Sequence, residues 1–319
     1  MKLPVASTLT ALSLCLSLGA CQDDALVCDR LQANPANPAG AEYTYLITTL
    51  EVPGSAQQAS ELAMDIDKDG RMDNSMGGLL GAIHNLSDYD LSEEINQMVL
   101  DGELLQLLTL KTTSLVNANG TSVQVSLALD TDNDPSDNFT GDEVFAIDSS
   151  VAPGMITGFI DDGVLTVELG NAPLAFSFPG LGETFMLPLT AARIEANVTD
   201  EGLVGRIGGV VSMKIVRESL VPALAEGFRR AIATDCPDNI CTEDSFGQLI
   251  LEVFDTDDDQ NISVAELEAS TILKATLLNP DMDLYSGSSD DITPFCDEVE
   301  ESLSVGFGFT AIRTAAVAQ

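Results

Sequence analysis

The sequence predicts an α+β fold: a β-rich, sandwich-like core with a helix-loop-helix appended near the C-terminus. Three observations predict it. Between residues 102 and 216, short apolar or alternating runs are separated by Gly, Asn, Asp and Pro, as in a succession of antiparallel strands. Beyond residue 216 the apolar spacing changes to threes and fours, the period of a helix. Finally, 319 residues of which 45% are hydrophobic are enough to bury a core, which excludes a wholly disordered chain.

Taken from the N-terminus, residues 1–20 carry one early charge at Lys2, an apolar run over 9–18 and small residues before Cys21. This is the pattern of an export signal, too short for an ordinary spanning helix. Leu18-Gly19-Ala20-Cys21 resembles the lipobox of bacterial lipoproteins. The resemblance implies cleavage before Cys21, lipid on its sulfur and new N-terminus, and anchorage to a membrane, with Gln22 implying the outer membrane. The alternative is an ordinary secretory signal that contains a cysteine. Residues 21–41, with Pro35 and Pro38, read as a tether. Cys28, Cys236, Cys241 and Cys296 then remain as an even set in an oxidising compartment, where disulfides are expected over a zinc site. Sequence leaves their pairing open. Cys236 with Cys241 and Cys28 with Cys296 is the favoured arrangement.

The β-rich domain is expected over 42–232. Its first strand, 42–52, is dense in β-branched and aromatic residues and ends at Pro53-Gly54. Further strands are expected at 104–115, 122–129, 144–147, 155–160, 164–169, 174–178, 184–187, 191–198 and 203–216. Asp161-Asp162-Gly163 and 199–202 read as hairpin turns. A last strand, 303–312, is expected to pair with 42–52 and close the fold.

Helices are expected at 217–233, with Leu220, Leu224, Phe228 and Ile232 on one stripe, and on both sides of residues 255–266. Arg229 and Arg230 are expected to pair with acidic neighbours. Thr242 is the expected cap of the helix bearing Phe246, Leu249, Ile250, Val253 and Phe254. The second helix runs from Leu267 to Asn279-Pro280. These elements and the last strand make up the expected 233–319 unit.

Between those two helices lies the best-formed acidic loop, Asp255 to Glu266. A calcium ion takes about six to eight oxygens, and a twelve-residue loop can supply them from its first, third, fifth, seventh, ninth and last positions. Here these are Asp255, Asp257, Asp259, Asn261 through its carbonyl, Ser263 and Glu266. The segment resembles an EF-hand, with one departure: Gln260 replaces the glycine of the turn.

A second loop supplies Asp65, Asp67, Asp69, the carbonyl of Arg71, and Asp73, with Gly70 at the turn. Met76 stands where the closing Glu would be, so this loop resembles those of dockerin or thrombospondin type. A third run offers Asp130, Asp132 and Asp134, but Pro135 cannot take the turn conformation, which excludes a standard EF-hand loop. Asp281 and Asp283 continue the acidic theme beside a Ser-Gly-Ser-Ser turn.

With 51 acidic against 13 basic residues the formal charge is −38, a field that repels phosphate backbones, so nucleic-acid partners are excluded. His84 is the sole histidine and no Gly-x-Ser-x-Gly elbow accompanies it, which argues against histidine-based nucleophilic catalysis. Cys21 and the three acidic runs resemble exported acidic bacterial lipoproteins of myxobacterial type. The expected function is a non-enzymatic, calcium-binding surface lipoprotein. Its Ca²⁺ is structural, and its β-rich domain is available to a cell-surface protein or glycan. The second reading is a calcium-stabilised glycosidase using two carboxylates. Zero Trp and four Tyr are poor material for sugar stacking.

Overall fold

The computed structural model describes residues 39–87, 91–176, 185–243, 245–282 and 301–315. The signal, Cys21, Cys28, Cys296, Asp283 and most of the tether lie outside the described residues. The strands are β1 (Ala41–Glu51), β2 (Gln106–Thr112), β3 (Ala118–Leu129), β4 (Ala146–Ile147), β5 (Gly154–Asp161), β6 (Val164–Phe176), β7 (Phe185–Val198), β8 (Gly202–Ser212) and β9 (Ser302–Arg313). Their order is β2-β1-β9-β8-β7-β6-β5-β3, with every pair antiparallel. β2 pairs with β3 as well as with β1, so eight strands close into a barrel, and β4 adds a short rung to β3.

The expected sandwich is therefore corrected to an up-and-down barrel. Alternation along a strand looks the same in both architectures, because each buries one face. What decides between them is the pairing of the first and last strands of the order. Leu107 settles it by facing Leu46 on one side and Ser126 on the other.

Every strand but β4 sends alternate side chains into one continuous core, among them Tyr45, Leu108, Val123, Ile156, Val167, Ile194, Ile207 and Phe307. Side chains thus fill the interior, as the geometry of an eight-stranded barrel allows. Phe176 and Phe307 meet there with ring centroids 5.5 Å apart. The expected breaks inside β6 and β7 are bulges within continuous strands. Leu169 (φ 65°) and Ala191 (φ 47°) shift the register without ending the pairing, and Pro173 stands opposite Pro188. The expected pairing of the first and last strands is present as β1 with β9, from Tyr45 opposite Arg313 to Glu51 opposite Gly308.

Because the barrel is up-and-down, its connections alternate between two rims. One rim carries tight turns, including Asp162 (φ 47°) and Gly163 (φ 77°) between β5 and β6. The other carries the long connections. From β1 to β2 run α1 (Ala56–Glu61), α2 (Ser75–Ser87) and α3 (Leu91–Leu100). The β8-to-β9 connection begins with Met213–Ile215 and a π-turn, Val216–Leu220. It continues through α4 (Val221–Asp235), α5 (Phe246–Phe254), α6 (Val264–Ala269) and α7 (Thr271–Ala275). The expected stripe of α4 is buried at Leu220, Leu224, Phe228 and Ile232 and joins the barrel core. Arg229 and Arg230 both pair with Glu226.

Two details of the helices differ from expectation. Ser245, not Thr242, caps α5, its hydroxyl accepting from Gln248 N at 3.3 Å, while Thr242 N donates to Asp235 O. The Cys236–Cys241 disulfide, with sulfurs 2.10 Å apart, folds this short link back on α4, so the next helix starts later. The single second helix expected after Glu266 is divided at Ser270, which ends α6 and caps α7.

Candidate metal centres

All three acidic runs leave the barrel at the helical rim, in the connections β1 to β2, β3 to β5 and β8 to β9. Each is anchored to a different part of the molecule.

The first run, 65–73, lies against the outer wall. Met64 and Asp73 close it as an isolated antiparallel bridge. Met64 and Ile66 pack on Ala191, Val210 and Met282. Arg193 Nη1 donates to Asp65 O at 2.8 Å and Arg206 Nη1 to Ala63 O at 2.7 Å. Lys68 pairs with Glu168. Inside this frame the carboxylates of Asp65, Asp67 and Asp73 place one oxygen each within 4.8 Å of one another. Asp65 Oδ1 is enclosed and has no hydrogen-bond partner. Asp69 is outside the group, its Oδ1 accepting from Arg71 N at 2.7 Å. The Arg71 side chain is exposed and reaches back to Asp69. Burial pushes Asp73 up to about 7 against the hydrogen bond from Ile66 N, with Asp67, Asp281 and Asp69 adding to the rise.

The last run, 255–266, joins α5 to α6 and is held by Arg229 Nη1 donating to Ile262 O at 2.7 Å. Asp255, Asp257 and Asp259 converge within the same 4.8 Å limit. Burial raises Asp257, and so do Asp259, Glu266 and Asp255 around it. Ser263 caps α6 and forms a capping box with Glu266. Glu266 Oε1 accepts from Thr256 N and Oγ1 at 2.8 and 3.1 Å, and Oε2 from Ser263 N and Oγ, both at 2.9 Å. The Ser263 N–H foremost holds Glu266 down at about 2, outweighing its burial. The expected bidentate ligand is thus placed as a brace across the loop, and the three Asp side chains meet without it. Asn261 N donates to Asp259 Oδ1 at 2.8 Å.

These two runs share one backbone pattern. Asp65 and Asp255 each accept from the N–H five residues on, Gly70 at 3.2 Å and Gln260 at 2.9 Å. Asp69 and Asp259 each accept from the N–H two residues on. Positive φ falls at the same two places, Lys68 and Gly70 in one and Asp258 and Gln260 in the other. Both runs lie between two helices, α1 and α2 around 65–73 and α5 and α6 around 255–266, but residues 62–64 separate α1 from Asp65 whereas α5 ends directly before Asp255.

The middle run differs. Asp130 Oδ1 accepts from Asp132 N and Asn133 N, and Asp134 is turned onto Ser136, whose N and Oγ donate to it at 3.1 and 2.6 Å. Ser136 holds Asp134 below its ordinary value. The group that converges is Asp130, Asp132 and Glu143, without the expected Asp134. Glu143 escapes a reading of alternate Asp residues because it sits at the far end of the run, brought back when the chain turns to rejoin the barrel. Thr314 Oγ1 fixes that return by donating to Glu143 O at 2.9 Å.

Carboxylates about 5 Å apart repel by roughly 1–3 kcal/mol per pair between water-like and protein-surface dielectric, which a bound cation reverses. Oxygen donors of this kind suit hard divalent cations. Over the described residues, the fold and these loops define an eight-stranded antiparallel barrel with three carboxylate clusters hung from one rim. No family model, curated protein or solved structure matches the chain.

Proposed function

We propose that the chain is a calcium-binding lipoprotein of the bacterial cell envelope, anchored through lipid on Cys21, in which Ca²⁺ is a structural part of the barrel's loops. The observation that carries this reading is the shared pattern of 65–73 and 255–266. Two runs in different connections of the barrel adopt the same turns and each gathers three carboxylates. In this reading 246–269 is an EF-hand whose Glu266 stands ready at the loop exit, and 65–73 is its shorter counterpart. Extracellular calcium modules bind with Kd of roughly 10⁻⁴–10⁻³ M, so external calcium fills such loops constantly and they act as staples. The barrel wall and its rim then serve as a rigid platform for binding or adhesion at the cell surface.

Calorimetric titration of the full chain with CaCl₂ tests the metal claim. Saturable binding that is reduced by Asp65→Asn with Asp67→Asn, and separately by Asp255→Asn with Asp257→Asn, supports it. Heats no larger than dilution refute it. For the anchor, metabolic labelling with palmitate should mark the wild type and leave Cys21→Ser unlabelled. An unlabelled wild type refutes lipidation.

A further inference from the structure

Asn138 is completely buried, and neither Oδ1 nor Nδ2 of its side chain has a hydrogen-bond partner. Buried amides almost always have partners, so an orphaned pair marks a place where a polar ligand or ion belongs. Its position says which. A Cβ added to Gly102 would stand 3.1 Å from Asn138 Nδ2, 3.5 Å from Pro135 Cβ and 3.9 Å from Asp130 Oδ2. The amide and the Asp130 carboxylate therefore converge on one glycine, whose φ of 76° and bare Cα leave the room. Next to it, Asp137 Oδ1 is also enclosed without a partner.

We propose that Asp130, Asp132 and Glu143, with the Asn138 amide oxygen, form a third site for a divalent cation of the calcium type, closed underneath by Gly102. This rests on the reading that the acidic runs of this chain hold calcium. It goes further in replacing the run of alternate Asp residues by a folded-back set that omits Asp134. A neutral amide oxygen suits such an ion, which accepts carbonyl and carboxylate oxygens together. Once the oxygen is on the ion, Nδ2 remains to donate to a neighbouring carboxylate; which end of the amide points inward is set by the ion.

The experiment titrates CaCl₂ into the full-length chain carrying Asp65→Asn, Asp67→Asn, Asp255→Asn and Asp257→Asn, so that only the middle run is intact. One binding event per chain is expected, weakened at least tenfold by Glu143→Gln and by Asn138→Leu, and unchanged by Asp134→Asn. Glu143 is only half-buried, so its variant tests the site even if Asn138→Leu unfolds the chain. Unchanged binding in Glu143→Gln and in Asp132→Asn would overturn the inference. So would calcium binding by the wild type with none by this background, which leaves the two patterned loops standing. No binding by the wild type would overturn both readings.

Discussion

Asn74 joins its own helix start to two segments that are distant in sequence. Its amide nitrogen donates to Ala59 O at 3.0 Å and Gly306 O at 3.1 Å, and its oxygen accepts from Gly306 N at 2.9 Å and Gly77 N at 3.0 Å. It thereby ties the exit of the first acidic run to α1, α2 and β9. Asn74→Ala removes both ends of these bonds and should cost about 2–4 kcal/mol, measured as a fall in the urea midpoint at constant slope. Glu195 works similarly on the outer wall, between Arg193 Nη2 at 2.5 Å and Arg206 Nη2 at 2.6 Å. Burial raises this carboxyl, but Arg193 and Arg206 outweigh it and hold the group below its ordinary value of 4.5. A lowered acid stabilises the fold fully above the unfolded pKa and loses that contribution as pH falls through the folded one. Glu195→Gln should therefore cost about 1–2 kcal/mol at pH 7 and progressively less below pH 4.5, read from urea denaturation across that range. The same two arginines hold the backbone of Ala63 and Asp65, so Glu195 also steadies the first loop.

At the scale of elements, the turn of each patterned loop offers a paired test. Gln260 holds φ 62°, a conformation that costs a residue with a Cβ on the order of 1 kcal/mol. Gln260→Gly should relieve that strain, raise the melting temperature by a few degrees and tighten calcium binding at 255–266. Gly70 at φ 90° has no neighbour within 4 Å of a built Cβ, so Gly70→Ala meets backbone strain alone. It should destabilise by about 1–2 kcal/mol and weaken binding at 65–73, followed by calorimetry and thermal melts. Much at this scale was legible in the sequence. Positive φ at Gly70 and Gln260 followed from ligand spacing, and the stripe of α4 from its period. Other features needed the fold. Asp134 alternates correctly with Asp130 and Asp132, yet Ser136 turns it away. Glu143 joins Asp130 and Asp132 only because the chain turns back to the barrel, where Thr314 holds it, and Asn138 comes to lie beside Gly102 only in the fold. The bulges at Leu169 and Ala191 interrupt alternation without ending β6 or β7, so each strand reads as two.

For the whole molecule, strands were visible from alternation but their closure was not, because inward and outward residues alternate alike in a sandwich and a barrel. Only the double pairing of β2 decides it. Closure matters for the metal account, since an up-and-down barrel sends all three acidic connections to one rim and leaves their anchorage to outer wall, helices and β-strand ends separately. With a formal charge of −38, the calcium-free chain should be stabilised by added NaCl through screening, but less than by calcium at equal ionic strength. A ligand that binds only the folded state at 100 times its Kd adds about 2.7 kcal/mol per site. For a chain of this size that is a rise of roughly 4 °C per filled site. The most direct measurement is the melting temperature of the full chain in excess EGTA and in 10 mM CaCl₂, with bound calcium counted by elemental analysis. The account predicts a rise of about 8 °C and at least two ions per chain. Superimposable melting curves with no bound calcium would contradict it.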